Sequence, residues 1–196
     1  MSLSALWVRL ESWLAAHTPG LVEELNEGAL PYETEEAEAE LGFRLPEDFR
    51  ASLQIHDGGA PANGLIGNWD LLALEDILEA YWYLEEQRED GNFGRNETEP
   101  NGRVKGYWWH RYWLPFVADT DGNHLCLDMD PERGAGVAGQ VILFLADDGE
   151  RRAIAPSFQA WLAGICEGLE AGRFPYHYDE DLDLYVFEKP GLIEPW

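Results

Sequence analysis

Between Trp113 and Pro131 the chain reads Trp-Leu-Pro-Phe-Val-Ala-Asp-Thr-Asp-Gly-Asn-His-Leu-Cys-Leu-Asp-Met-Asp-Pro, and this stretch constrains the fold more tightly than any other. Two apolar runs flank an acidic Gly-Asn pair, the composition of two strands joined by a tight turn. Asp130-Pro131 stops the second strand, because proline has no N–H to give to a ladder. In that strand Leu125, Leu127 and Met129 point one way, while His124, Cys126 and Asp128 point the other and are expected to form a half-buried polar face. Residues 141–145 supply a third strand, apolar on both faces, so each side needs a cover.

Helical spacing accounts for much of the rest. Ser4 is expected to cap a helix over 4–17 with the stripe Leu6, Trp7, Leu10, Trp13 and Leu14, ended by Pro19-Gly20. An acidic helix is expected over 34–41 with Gly42 as its stop. Pro46 presets the next start, with Glu47 and Asp48 where the helix dipole favours negative charge. Phe49, Leu53 and His56 share one side of that helix, and Asp57-Gly58-Gly59 ends it. A turn-rich stretch over 61–67 leads to a short strand near 69–72. The helix expected over 75–88 turns Ile77, Leu78, Tyr81 and Leu84 to the core, with Trp82 a further candidate. Residues 89–106, rich in Gly, Asn and Glu, read as a long surface loop, and 107–117 as an aromatic strand broken by Pro115. A last helix, entered through Pro156 and Ser157, carries Phe158, Trp161, Leu162, Ile165 and Leu169, with Gly172 as its stop. Nothing repeats and no Pro- or Ser-rich linker divides the 196 residues, so the reading is one α+β domain over 1–196.

Thirty-eight acids against thirteen bases give a formal charge of −25. Such a field repels nucleic acid and anionic lipid and attracts basic proteins; solubility alone would explain it equally well. Eight glutamates and no base fall within residues 21–40, and Asp179, Glu180, Asp181 and Asp183 crowd the end of the chain. Two cysteines, Cys126 and Cys166, are too few for a disulfide framework. No basic start with an apolar run precedes Trp7, and no stretch reaches the roughly 18 apolar residues that span a bilayer. The expectation is a cytoplasmic protein with reduced thiols and no membrane contact.

Several fragments, in order, resemble the SUKH superfamily, which joins bacterial toxin-immunity proteins with fungal regulators of cell-wall assembly. Residues 36–49 (Glu-Ala-Glu-Ala-Glu-Leu-Gly-Phe-Arg-Leu-Pro-Glu-Asp-Phe) are similar to its helix, Leu-Gly stop and Leu-Pro re-entry. Ile55-His56-Asp57-Gly58 resembles its His-Asp-Gly helix end. Trp113, Pro115, Asp119, Gly122 and Asn123 resemble its strand and turn, and Leu127-Asp128-Met129-Asp130-Pro131 with Gly139-Gln140-Val141-Ile142 the segment beyond. Ala155, Ser157, Phe158 and Trp161-Leu162 resemble its closing helix. The resemblance covers about 33–165, leaving the helix of 4–17 and an acidic extension of 174–196 outside it. It implies a mixed, largely antiparallel sheet flanked by helices, and a protein that acts by binding another protein.

The motif residues have structural uses of their own. Pro46 presets a helix start, Gly122 permits a left-handed backbone, and Asn123 tolerates the same region. Asp119 can accept bonds from the turn's amides, Asp128 can tie a neighbouring loop, and Trp113 and Trp161 suit the core where helix meets sheet.

Asp119-Thr120-Asp121-Gly122-Asn123 alternates acids around a glycine, but an EF-hand needs Gly sixth and Glu twelfth, and here those places hold His124 and Asp130. Asp128 with Asp130, or Asp119 with Asp121, would lie about 6.5–7 Å apart on one strand face, a spacing glycosidases use; so acidic a chain produces such pairs by chance. The histidines are scattered, His124 with Cys126 and Asp128 being the one set on a shared face. Ser157 is explained by capping, and Gly134-Ala135-Gly136 lacks a phosphate loop's context. No catalytic, cofactor or metal residue is predicted.

The tail, Tyr176 to Tyr185, mixes aromatics with acids and reads as a docking face or as an edge strand guarded by its charges. The first expectation is an immunity protein covering a basic toxin domain, plausibly a nuclease. The alternative is an intracellular regulator or scaffold of the cell-wall-assembly type, and the third a carboxylate hydrolase. The expected contact residues are Glu35, Glu36, Glu38, Asp119, Asp121, Asp179 and Asp181.

Overall fold

Residues 1–59, 69–93, 98–100, 102–181 and 183–187 are described by a computed structural model of the chain. Its spine is the predicted pair of strands, β3 (Trp113–Asp119) and β4 (His124–Asp128), joined by the acidic turn. With β1 (Trp69–Leu71), β2 (Glu99–Pro100), β5 (Gln140–Phe144) and β6 (Glu150–Ala155) they form a sheet in the order β1-β3-β4-β5-β6-β2. Every pairing is antiparallel except β2 with β6, so the sheet is mixed and mostly antiparallel. The α+β expectation holds.

The helices are α1 (Leu3–His17), α2 (Pro19–Glu23), α3 (Pro31–Leu41), α4 (Glu47–Leu53), α5 (Leu74–Glu89) and α6 (Phe158–Glu170). Helices α4 and α6 meet the sheet through Phe116, whose ring lies 5.6 Å from Phe49, 5.5 Å from Phe158 and 5.1 Å from Trp161. Helix α1 packs outside them, its Leu6, Trp7, Leu10 and Leu14 buried. The Trp7 indole donates to Ser52 Oγ at 2.8 Å, which satisfies the one polar atom this ring carries inside. The start of α6 is doubly capped: Ser157 Oγ accepts from the Ala160 amide, and Asp48 of α4 reaches across to the Gln159 amide at 2.8 Å.

Several boundaries differ from the sequence reading, each for a local reason. Ser2, not Ser4, caps α1, accepting from the Ala5 amide. Pro19 begins α2 instead of merely ending α1, since proline suits a first helical position. Helix α4 stops at Leu53, short of His56. Aromatic density over 107–112 does not mark a strand: β3 starts only at Trp113, and Trp109 is buried in an irregular segment against Trp113 and Phe144, at 6.0 and 5.6 Å. Trp113 therefore meets this loop, while Trp161 meets the sheet from a helix as expected. Pro115 does not break β3; it sits buried at a bulge opposite Cys126, where a missing donor is tolerated. The surface loop expected over 89–106 buries Val104 and contributes β2. Strand β6 went unread.

The polar face expected on β4 is not half-buried. Every residue of β4 and β5 is buried, so both faces of each strand are covered, and Cys126 and Asp128 have no exposed surface. The acidic extension forms a hairpin of its own, β7 (Tyr176–Asp179) with β8 (Leu184–Phe187), instead of an edge of the main sheet. Phe187 and Tyr176 pack on Trp13 of α1, and Phe174 is buried. The turn-rich stretch expected over 61–67 lies outside the described residues, as do 188–196.

Candidate functional site: an acid-walled groove and its supports

The acidic turn serves itself. Asp119 accepts from the amides of Asp121 and Asn123, both at 2.9 Å, and from the Asn123 side chain at 2.8 Å. Asn123 Oδ1 in turn accepts from the Ala146 amide. Gly122 takes the left-handed backbone, φ 81°, but Asn123 does not; its value is the side-chain bond that holds the β5 end against the turn. Asp119 is thus occupied, while Asp121 is exposed.

Asp128 is enclosed. One oxygen accepts from the Asp130 amide at 3.1 Å, the other from Gln140 Nε2 at 3.0 Å, and Gln140 also donates to Arg103 O and accepts from Val137. Asp128 therefore does tie a neighbouring loop. Neither oxygen faces a space that a substrate could enter, whereas Asp130 is paired with Lys105 Nζ at 2.5 Å. Among the described residues no three His, Cys, Asp or Glu side chains are placed to hold a metal ion.

Burial pushes the Asp128 carboxyl from an ordinary 3.8 up to about 6, against the pull of its two hydrogen-bond donors. A folded pKa above the unfolded one means that the native state binds the proton more readily. This contribution is full below pH 4 and is lost as pH rises through about 6, amounting to about 3 kcal/mol for a shift of roughly two units. Glu85 acts in the opposite sense: its bidentate pair with Arg88 lowers its pKa, so that contribution is lost in stronger acid. The Asp128 contribution should therefore grow as pH falls from 7.5 to about 5, while His110 and His124, whose pKa values burial lowers, work against it as the unfolded imidazoles take up protons. Urea titrations across pH test this. Because an amide cannot titrate, the stability of wild type relative to an Asp128→Asn variant should rise by about 3 kcal/mol between pH 7.5 and 4; a difference that stays constant with pH would remove Asp128 from the account.

His-Asp-Gly is a clasp, not a helix end. His56 lies between Asn26 O and Glu11 Oε1, both at 2.8 Å. Asp57 Oδ1 accepts from the Leu74 amide at 2.7 Å, which caps α5. Gly58 takes φ 73° where it crosses the chain entering α5. The residues 55–59 thereby fix α5 relative to α1 and the segment before α3.

Helix α3 is cut for two environments. Thr34, Ala37 and Leu41 are buried at intervals of three and four, whereas Glu35, Glu36 and Glu40 are exposed. Pro31 opens the helix, Glu33 accepts from the Leu30 amide, and Gly42 closes it at φ 76°. Glu38 is only partly exposed and accepts from the Leu45 amide, with Arg50 at 3.8 Å, so it shapes the turn into Pro46. Helix α5 lies alongside, burying Leu74, Ile77, Tyr81 and Leu84. Trp82, a candidate for the core, is 42% exposed instead. One residue beyond Tyr81 is about 100° further round a helix, which carries it to the flank facing α3. Its indole N–H donates to Glu40 Oε1 at 2.5 Å.

The two helices bound a groove of about 360 Å³, floored by Ala37, Leu74 and Leu78 and walled by Glu33, Glu36, Glu40, Asp57 and Glu75. Of the expected contact residues, Glu35 and Glu36 stand on α3 with Glu36 in the groove, Asp121 stands at the β3–β4 turn, Asp179 ends β7 and Asp181 lies in the turn beyond it. They occupy three different elements. Glu40 belongs to the glutamate-rich patch of residues 21–40 that the sequence offers, whereas nothing in the sequence marks Glu75 or Trp82 as contacts; the groove exists only once α5 is laid beside α3.

A mixed sheet with its Leu-Pro, His-Asp-Gly and Asp-Gly-Asn fragments at these structural posts defines a protein of the SUKH superfamily. The SMI1/KNR4 family (SUKH-1) profile matches residues 28–164, and the chain belongs to that family. Among its relatives, a KNR4/SMI1 homolog 2 of Debaryomyces hansenii is 30% identical over 88% of this chain and 36% of its own length. A cell wall biosynthesis/cell cycle regulator of Schizosaccharomyces pombe is 30% identical over 99% of this chain and 41% of its own. A glucan synthesis regulatory protein of Neurospora crassa is 28% identical over 98% and 43%. The chain spans less than half the length of these relatives.

Proposed function

We propose that the chain is a non-catalytic protein-binding module acting inside the cell as a regulator of the cell-wall-assembly type. The observation that supports this reading is that nearly the whole of this chain matches part, less than half, of fungal proteins named as regulators. It fits those names better than the expected toxin immunity does. The enclosure of Asp128 supports the non-catalytic part, since a general acid or base must reach its substrate. Among the described residues no helix is long and apolar enough to cross a membrane.

The test is complementation. A Schizosaccharomyces pombe strain lacking its cell wall biosynthesis/cell cycle regulator should regain growth under wall stress when it expresses this chain. Absence of rescue, with folded chain present in the cells, would overturn the regulatory reading.

A further inference from the structure

We infer that the groove between α3 and α5 is the docking site for a lysine- or arginine-bearing amphipathic segment of a partner protein. The inference rests on the protein-binding reading above and names where and what that reading binds. Its first support is the exposed face of α5. Trp82, whose indole bonds the groove-wall residue Glu40, keeps 42% of its surface open, and bulky aromatics left this open are what protein interfaces tend to enlist.

The second support is the groove's construction. Its floor is apolar, with Ala37 and Leu78 between the helices, and its walls are acidic, with no lysine, arginine or histidine among the lining residues. Two of the wall acids already have work: Glu33 holds the Leu30 amide and Asp57 the Leu74 amide. Glu36 and Glu75 make no hydrogen bond or ion pair among the described residues, and Glu40 has one oxygen on the Trp82 indole. An apolar trough edged by uncommitted carboxylates matches a side chain that is itself half apolar and half cationic. The methylene stem of lysine or arginine would lie on Leu78 and Ala37, its charged head against Glu36, Glu40 or Glu75. Trp82, tied to Glu40 on the groove wall, offers a ring face beside it to a second cation or an aliphatic side chain. An acidic ligand, nucleic acid or an anionic headgroup meets only repulsion there.

The probe is a short amphipathic leucine–lysine peptide, titrated into the isotope-labelled chain and followed by backbone and indole N–H shifts. Shifts should concentrate on α3, α5 and the Trp82 indole. Neutralising Glu36, Glu40 and Glu75 to glutamine should weaken binding about tenfold. Changing Asp121, Glu180 and Asp181 to their amides removes the same charge from the other acidic faces and should weaken it less than about twofold. Trp82→Ala, which leaves the charge unchanged, should also weaken binding. Equal losses from the two triple variants, or shifts spread evenly over the acidic surface, would overturn the groove and leave only general attraction. Yeast rescue by the wild-type chain is scored separately, so its failure counts against the regulatory reading and not against the groove.

Discussion

Gly58→Ala should cost about 3–5 kcal/mol of folding free energy and move the urea midpoint accordingly. Two penalties coincide at this residue. Its φ of 73° lies where a Cβ is disfavoured, and the added atom would fall 2.4 Å from the Ala73 nitrogen and 2.6 Å from the Leu72 carbonyl carbon. Both neighbours are backbone and cannot rotate away. Relief would require β1 and α5 to move off the clasp, which breaks the bond from the Leu74 amide to Asp57 and that from the Gly59 amide to Leu71. Gly42 separates the two penalties. It has φ 76°, but nothing lies within 4 Å of its Cβ position. Gly42→Ala should therefore cost only about 1 kcal/mol. Similar losses at the two glycines would show that close approach at Gly58 contributes nothing.

Arg151→Met should destabilise the chain by about 3 kcal/mol although the side-chain volume is nearly kept. Arg151 has no exposed surface and, among the described residues, no carboxylate partner. Its guanidinium instead donates to Trp108 O at 3.2 and 2.8 Å and to Asp148 O and Glu150 O at 2.7 Å. It lies 4.4 Å from the Phe144 ring centroid and 5.0 Å from that of Trp108. Burial lowers its pKa to about 10, so it remains charged at neutral pH. Replacing a buried ion by a hydrophobe is often neutral when its partner leaves with it. Here the partners are main-chain carbonyls, which stay behind without donors. Arg151→Lys keeps the charge but not the fork, so its loss should fall between wild type and Arg151→Met. Hydrogen exchange should quicken over residues 102–112, which Arg151 ties to the sheet through Trp108. A methionine variant as stable as wild type would mean these carbonyls find other donors.

What could be read from the sequence was what short-range chemistry decides. The β3–β4 turn was legible because Asp119, Gly122 and Asn123 complete it among themselves. The α3 stop at Gly42 and the α6 start at Ser157 were legible for the same reason. Strand β6 was not, because two adjacent arginines look exposed, and only the fold reveals that Arg151 is buried on the carbonyl of Trp108 from a distant loop. The clasp at Asp57 and Gly58 looked like a helix end because its partners, Leu74 and Ala73, belong to an element beyond an intervening strand. The groove was hidden in the same way. Glu36 was visible as an acid on α3, but Glu40, Glu75 and Trp82 gain meaning only from the pairing of α3 with α5.

The central claim is that this chain works through what its surface binds and not through carboxylate chemistry. The most direct measurement is growth under wall stress of the regulator-deficient fission yeast carrying either Asp130→Asn or the glutamine triple at Glu36, Glu40 and Glu75, matched for chain abundance. Asp130 is the accessible member of the Asp128–Asp130 pair, so a hydrolase would lose its function with it. Asp130→Asn should rescue as well as wild type, and the triple variant should fail to rescue. Rescue abolished by Asp130→Asn and retained by the triple variant would contradict it.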